Sequence, residues 1–162
     1  MTDNNTTNFR KGLSYDDVLL VPRFSDISSR TEIDLTTNLG KDVVLQLPII
    51  SSPMDTVTEM KMCIAMDAVG GTGVVHRYNT VEQQSEIISQ AAKKLNGNLG
   101  AAIGITGDYL ERASEAYNQG ANFICVDVAH GHHASMKTAL HRLRIMLGDD
   151  YHIMAGNVAT LQ

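Results

Sequence analysis

The chain has 162 residues, of which 43% are hydrophobic and 19% charged, a composition typical of a globular protein with one packed core. Its 18 acidic residues outnumber its 13 basic ones and no basic run stands out, so no nucleic-acid interface and no binding to an anionic membrane are expected. The amino terminus lacks the apolar core of a signal peptide, and no apolar run approaches the length of a membrane span. We therefore expect a cytoplasmic protein.

Two short alternating segments precede the main part of the chain. Residues 32–37 and 43–47 alternate polar and apolar side chains, and the turn residues Asn38–Lys41 lie between them. This pattern predicts a β-hairpin. We therefore expect residues 1–47 to form a leader and a hairpin, and residues 48–162 to form the main domain.

From residue 48 onward, short apolar runs alternate with helical patterns, as in a repeated strand–helix unit. Strands are expected to begin near Pro48, Thr72, Leu99, Asn122 and His152. Helices are expected at about residues 58–69, 80–94, 108–120 and 134–147. The fold class is therefore α/β with about five parallel strands. The pattern alone does not separate a doubly wound open sheet from a partial (β/α)8 barrel.

Two of these helices begin with the signature of a capping box, in which two side chains satisfy each other's backbone amides. Thr56 and Glu59 have the required spacing before the first helix, and Thr80 and Gln83 have it before the second. We therefore expect Thr56 and Thr80 to cap their helices.

Polar side chains follow four of the predicted strands, where a parallel sheet commonly binds its ligands. They lie in Ser51–Asp55, Val75–Tyr78, Cys125–His133 and Ile153–Thr160. His76 is predicted to be structural, because a lone histidine at a strand end more often is. The histidines at 130, 132 and 133 lack a partner at the spacing of a zinc helix, so no metal site is predicted.

The order of several motifs resembles that of the IMP dehydrogenase and GMP reductase family. The motifs are the leader Leu13–Pro22, hairpin residues Ser29–Arg30 and Asp34–Thr36, Ser-Ser-Pro-Met-Asp-Thr-Val at 51–57, Asp-x-Ala-His-Gly-His at 127–132, and Gly-Asn-Val-x-Thr at 156–160. The resemblance covers nearly the whole chain and implies the first five strands of a (β/α)8 TIM barrel. The amino-acid sequence at 51–57 favours the dehydrogenase over the reductase.

The resemblance also implies which residues meet the ligands. The expected contacts to a purine nucleoside monophosphate are Ser52, Met54 and Asn157, and the expected contacts to the dinucleotide are Asp127, Ala129 and His130. A thioether suits the flat face of a purine, and a carboxylate can accept two ribose hydroxyls. The implied cofactor is NAD, or NADPH for a reductase, with a monovalent cation in the complete enzyme. A homo-oligomer, commonly a tetramer, is also implied.

In this family, a cysteine in a glycine-rich loop after the sixth strand attacks C2 of the purine. With IMP, hydride then passes to NAD and the covalent intermediate is hydrolysed to XMP, whereas the reductase releases ammonia from GMP and consumes NADPH. Neither Cys63 nor Cys125 lies in such a loop, and both are expected to be buried, reduced thiols. No catalytic residue is therefore assigned, and the 162-residue polypeptide alone is expected to be inactive.

A second departure concerns the segment Lys93–Asn98, which joins the second helix directly to the third strand. The usual dehydrogenase carries a pair of regulatory CBS modules there, whereas reductases and some dehydrogenases do not. Three alternatives to an IMP dehydrogenase remain. One is a GMP reductase. Another is a non-catalytic chain, which could be a truncated product, a half-barrel that pairs with a separate C-terminal half of the barrel, or an interaction fragment. The third is an unrelated α/β protein that binds phosphate esters, which the repeat pattern alone would allow.

Overall fold

The structure is a computed structural model that describes residues 12–160. Contacts divide the chain into two units between Ile33 and Asp34. The boundary expected at residue 47 stays a prediction. No helix of the described part is long and apolar enough to cross a membrane.

The described part of the first unit, residues 12–33, is largely extended, with single 3-10 turns at Tyr15–Asp17 and Arg30–Glu32. The Asp17 carboxylate accepts hydrogen bonds from the backbone amide of Ser14 at 2.8 Å and from its hydroxyl at 2.9 Å. These two bonds hold the pKa of Asp17 below its ordinary value, because they stabilise the charged carboxylate.

The predicted hairpin is present in the second unit. Strand β1 (Thr37–Asn38) pairs antiparallel with β2 (Val44–Leu45). Both strands are shorter than the sequence pattern predicts, and the first begins later. The reason is local, since the Asp34 carboxylate accepts from the Thr36 amide at 2.8 Å and turns the backbone there.

Five parallel strands form the main sheet, and each begins at or near its expected position. They are β3 (Ile50–Ser51), β4 (Thr72–Val75), β5 (Leu99–Ile103), β6 (Phe123–Asp127) and β7 (His152–Gly156). Their spatial order is the order of the sequence, with no reversal. A doubly wound sheet requires such a reversal, so the structure is a half-barrel.

The strands alternate with four helices, as predicted. They are α1 (Met60–Ala68), α2 (Val81–Ala92), α3 (Tyr109–Asn118) and α4 (Ala134–Leu147). The predicted capping box of α2 is present, since the Thr80 hydroxyl accepts from the Gln83 amide at 3.2 Å and the Gln83 side chain accepts from the Thr80 amide at 3.0 Å.

The predicted capping box of α1 is wrong. Helix α1 begins only at Met60, and Glu59 occupies its N-cap position without a capping side-chain bond. The preceding residues form a tight turn instead, because the amides of Val57 and Thr58 both donate to the carbonyl oxygen of Met54, at 3.0 and 2.9 Å. Thr56 therefore lies in this turn rather than at the helix start.

The two faces of the sheet pack against different partners. Side chains such as Val75, Ile103 and Val126 belong to the buried cluster that includes the helices. The opposite face carries Phe123 and other buried side chains, which pack with Val43 of the hairpin. Helices on one face and a hairpin on the other leave the strand ends as the place where loops from successive units meet.

Candidate functional site

The carboxyl ends of the five parallel strands lie along one rim, because the registers of adjacent strands are parallel throughout. Four expected site residues lie at those ends: Asp127 is the last residue of β6, and Ser52, Met54 and Asn157 come just after their strands. All four therefore lie at the same rim. Ser52 and Met54 follow β3, at one edge of the sheet, whereas Asn157 follows β7 at the other.

The loop after β3 exposes Ser52 and Met54 to solvent, while hydrogen bonds hold its backbone in place. Ser52 is exposed, and the Met54 side chain is 50% exposed. The carbonyl oxygen of Ser52 accepts from the Met54 amide at 2.8 Å and from the hydroxyl of the buried Thr58 at 2.6 Å. The backbone of this loop is therefore constrained by hydrogen bonds.

His76, at the end of β4, is almost fully buried and holds two loops together. Its Nδ1 accepts from the Tyr78 amide at 3.1 Å, so the proton of the neutral ring is on Nε2. That nitrogen donates to the Glu59 carboxylate at 3.3 Å. The structural role expected for His76 agrees with these contacts, and Glu59 serves the neighbouring loop rather than its own helix.

A buried polar network anchors the loop between β4 and α2. The Gln84 side-chain amide donates to the carbonyl oxygens of His76 at 2.9 Å and Ala102 at 2.8 Å, and its oxygen accepts from Arg112 Nη1 at 3.1 Å. Arg112 also donates to the Asn79 carbonyl at 2.6 Å and to the Asp108 carboxylate at 3.0 Å. Sequence reasoning missed this network, although two polar residues on the apolar faces of α2 and α3 were a signal for it.

Asp127 ends β6 and is half-buried. Arg77 Nη2 donates to its backbone carbonyl at 3.4 Å. Within residues 12–160, its carboxylate makes neither a hydrogen bond nor an ion pair. The carboxylate oxygens are therefore available to accept hydrogen bonds from a ligand.

The loops after β6 and β7 are joined by backbone hydrogen bonds. The Asn157 amide donates to the Val128 carbonyl at 2.7 Å, and the Gly131 amide donates to the Asn157 carbonyl at 2.7 Å. A Cβ atom at Gly131 would lie 2.7 Å from that carbonyl oxygen, which is closer than real Cβ atoms come. Glycine at 131 thus permits the close approach of the two loops.

A cavity of about 200 Å³, open to solvent, lies between these two loops. It is lined by Ala129, His130, His132, Asn157, Val158, Ala159 and Thr160. The structure therefore brings Ala129 and His130, both expected at the dinucleotide, together with Asn157. Ser52 and Met54 do not line this cavity. Drug-sized ligands occupy pockets of roughly 300 Å³ or more, so the cavity suits only part of a dinucleotide or nucleotide.

Residues 12–162 match a family model described as the IMP dehydrogenase / GMP reductase domain. The chain belongs to this family. The resemblance drawn from the sequence motifs is therefore confirmed, and the similar proteins favour its dehydrogenase branch. The half-barrel is the architecture that the resemblance predicts, and the family to which the chain belongs is one of oxidoreductases.

Three members show how this chain relates to the family. It is 33% identical over 197 aligned positions to inosine-5'-monophosphate dehydrogenase of Cryptosporidium parvum, covering 96% of this chain and 48% of that protein. It is 49% identical over 77 residues to the Nitrosopumilus maritimus enzyme, covering 48% and 16%. A crystal structure of the Legionella pneumophila dehydrogenase aligns with a TM-score of 0.81 and 41% identity, covering 93% and 45%. The chain thus spans about half the length, or less, of these relatives.

Neither cysteine of this family member is suited to be a nucleophile. Burial in α1 raises the pKa of Cys63 to about 12, and burial in β6 together with the charge of Asp127 raises the pKa of Cys125 to about 11. A nucleophilic cysteine requires a lowered pKa, which favours the thiolate. Cys63 is buried as predicted, and Cys125 is half-buried.

Metal ligation has no support in the described part of the chain. No group of three or more histidine, cysteine, aspartate or glutamate side chains between residues 12 and 160 is arranged to hold a metal ion. His130 and His132 have ring centroids 6.5 Å apart, and both instead line the cavity between the loops after β6 and β7.

Proposed function

We propose that this chain supplies part of the nucleotide and cofactor sites of an IMP dehydrogenase, which oxidises IMP to XMP with NAD. The observation that carries the proposal is the common rim, where parallel strands of one half-barrel end at or just before the residues Ser52, Met54, Asp127 and Asn157. The names of the similar proteins support dehydrogenase over reductase. Residues 1–47 would be the leader and hairpin, and residues 48–162 the first five strand–helix units.

On the substrate side, Ser52, Met54 and Asn157 have the chemistry that a purine nucleoside monophosphate needs. The exposed Ser52 hydroxyl can donate to a phosphate or ribose oxygen. The half-exposed Met54 thioether can lie against a purine face, since sulfur is polarizable and adapts to aromatic surfaces. Asn157 has both a donor and an acceptor, and its backbone is fixed by the loop after β6.

On the cofactor side, the residues fit the ribose of a nicotinamide dinucleotide. The Asp127 carboxylate has no donor among the described residues, so two ribose hydroxyls can satisfy it. Ala129 and His130 line the adjoining cavity and would contact the same part of the dinucleotide. Bound NAD would supply the hydride acceptor, whereas the residues of this chain bind and orient. The complete enzyme would also hold a monovalent cation.

The chemical step itself needs a cysteine that these 162 residues do not provide, because both thiols are held protonated by burial. We therefore infer that the polypeptide alone is inactive and that it requires the C-terminal half of a barrel. By family, the assembly would be a cytoplasmic homo-oligomer, with the tetramer as the expected form.

The test is turnover, with two substrate pairs, by the full-length protein, meaning this chain together with the C-terminal half of the barrel that it is proposed to require. Formation of NADH from IMP and NAD is expected. Consumption of NADPH with GMP, and none of the first reaction, would make the protein a GMP reductase instead. Absence of both reactions would favour the non-catalytic alternative, an interaction fragment built on a half-barrel.

A further inference from the structure

Thr58 is a fully buried polar residue directly beneath the loop that carries Ser52 and Met54. Its hydroxyl lies 2.6 Å from the Ser52 carbonyl oxygen and 2.9 Å from the Ser51 hydroxyl. A carbonyl can only accept, so the single Thr58 hydroxyl proton is donated to Ser52. The Ser51 hydroxyl oxygen, 2.9 Å away, is a second and more distant acceptor for the same proton.

The backbone of Thr58 holds the other expected substrate residue. Its amide donates to the Met54 carbonyl at 2.9 Å, beside the amide of Val57, which donates to the same oxygen at 3.0 Å. One residue thus fixes Ser52 through its side chain and Met54 through its main chain. The 2.8 Å bond from the Met54 amide to the Ser52 carbonyl closes the same turn.

The methyl group of Thr58 packs against the neighbouring strand. A Cβ atom at Gly73 of β4 would lie only 3.2 Å from Thr58 Cγ2, so this methyl already sits against the strand backbone. Threonine therefore combines two contacts that can be separated by substitution. Serine keeps the hydroxyl and loses the methyl contact, whereas valine keeps the packing and loses the hydrogen bonds.

We propose that Thr58 is a positioning residue for the purine nucleotide. It holds Ser52 and Met54 in the conformation that binds the nucleotide. Thr58 is buried, so it acts through the loop and does not touch the ligand. This inference rests on the proposed function of the Ser52–Met54 loop. Nothing in its sequence spacing marks Thr58, since the capping pattern points to Thr56.

The test compares two substitutions in the full-length protein. Thr58→Val is expected to weaken IMP binding about tenfold, since the loop loses a buried hydrogen bond, while NAD affinity at saturating IMP changes less than about twofold. Thr58→Ser is expected to keep wild-type IMP affinity and to melt at a lower temperature. Thr138→Val, at an exposed position on α4, is the matched control and should change neither affinity.

The outcomes separate the inference from the proposed function. If the wild type binds IMP and Thr58→Val binds it with the same affinity, the positioning role is overturned and the proposed function stands. Equal losses in both Thr58 variants would assign the effect to packing and would also overturn it. Absence of IMP binding by the wild type would overturn the proposed function and the inference with it. If Thr58→Val fails to fold, the IMP affinity of Thr58→Ser is the test. Wild-type affinity is the result that the positioning role predicts, and a loss of affinity would overturn it.

Discussion

The backbone amide of Gly131 donates a 2.7 Å hydrogen bond to the carbonyl oxygen of Asn157, so the loops after β6 and β7 are joined across the rim. The backbone of Asn157 and Gly156 fills the space that a side chain at residue 131 would need. A Cβ atom there would lie 2.7 Å from the Asn157 carbonyl oxygen and 3.0 Å from the Gly156 carbonyl carbon. Backbone atoms cannot rotate away as a side chain can. The separation of these loops is therefore set by the absence of a side chain.

Gly131→Ala should push the two loops apart and weaken binding of both ligands. We expect the dissociation constants for IMP and for NAD to rise at least about tenfold, as one backbone hydrogen bond is lost and Asn157 shifts relative to Asp127. Calorimetric titration of the full-length protein measures this. Gly104→Ala is the control, because its Cβ would meet only the Arg77 guanidinium at an ordinary 3.5 Å. Wild-type affinities in Gly131→Ala would refute the coupling.

Arg112→Met should destabilise the fold by about 2–4 kcal/mol, because it leaves the buried Gln84 side-chain oxygen and the partly buried Asn79 carbonyl without a donor. Urea unfolding of the full-length protein at neutral pH provides the measurement. Arg142→Met, an exposed substitution on α4, should change the free energy of unfolding by less than about 0.5 kcal/mol. Equal effects of the two substitutions would show that the network contributes no stability.

Cys125→Ala should retain turnover of IMP within about twofold. The pKa of this thiol is about 11, so at about pH 8 only about one molecule in a thousand carries the thiolate that a nucleophile requires. Steady-state assays of the full-length protein test this directly, with Cys63→Ala as a second buried thiol. Loss of activity in the Cys125 variant, with folding intact, would make this residue the nucleophile and contradict the assignment.

His152 should make the protein less stable as the pH falls. Partial burial, and then the positive charge of Arg144, lower the pKa of His152 below its ordinary value of 6.5. Below pH 6.5 the unfolded chain takes up a proton that the folded chain does not, so stability present above that pH is lost on acidification. In the folded state the ring packs edge-on against Phe123, with centroids 5.8 Å apart.

The measurement is urea unfolding at about pH 7.5 and about pH 5.5. His152→Asn should lose less stability than the wild type between these two conditions, and His141→Asn, an exposed substitution on α4, should lose as much as the wild type. An identical pH dependence for His152→Asn and the wild type would refute this effect.

Sequence periodicity predicted the strands and helices well because each unit carries local signals for where its strand and its helix begin. Apolar runs mark the strands, and the Thr80–Gln83 capping box lies where the pattern predicted it. The α1 start was predicted wrongly, since the capping signature at Thr56 and Glu59 competes with a turn closed on the Met54 carbonyl. Such competition depends on tertiary contacts, here between Glu59 and His76, which no local pattern records.

The candidate site was predicted only in part for the same reason. Strand ends and family motifs identify Asp127 and Asn157 as rim residues, but the 2.7 Å bond that joins their loops involves Gly131, whose partner is distant in sequence. Thr58, Gln84 and Arg112 are buried polar residues whose partners lie on other elements. Their roles follow from packing, which spacing along the chain does not specify.

A shared purine and dinucleotide site at this rim is tested most directly by Asp127→Asn in the full-length protein. The measurement is the KM for NAD at saturating IMP, with Asp149→Asn, an exposed aspartate before β7, as a control of equal charge. We expect Asp127→Asn to raise this KM about tenfold or more, because charge-assisted hydrogen bonds to the ribose are lost, while IMP affinity stays within about twofold. An unchanged KM for NAD in Asp127→Asn would contradict a cofactor site at the end of β6.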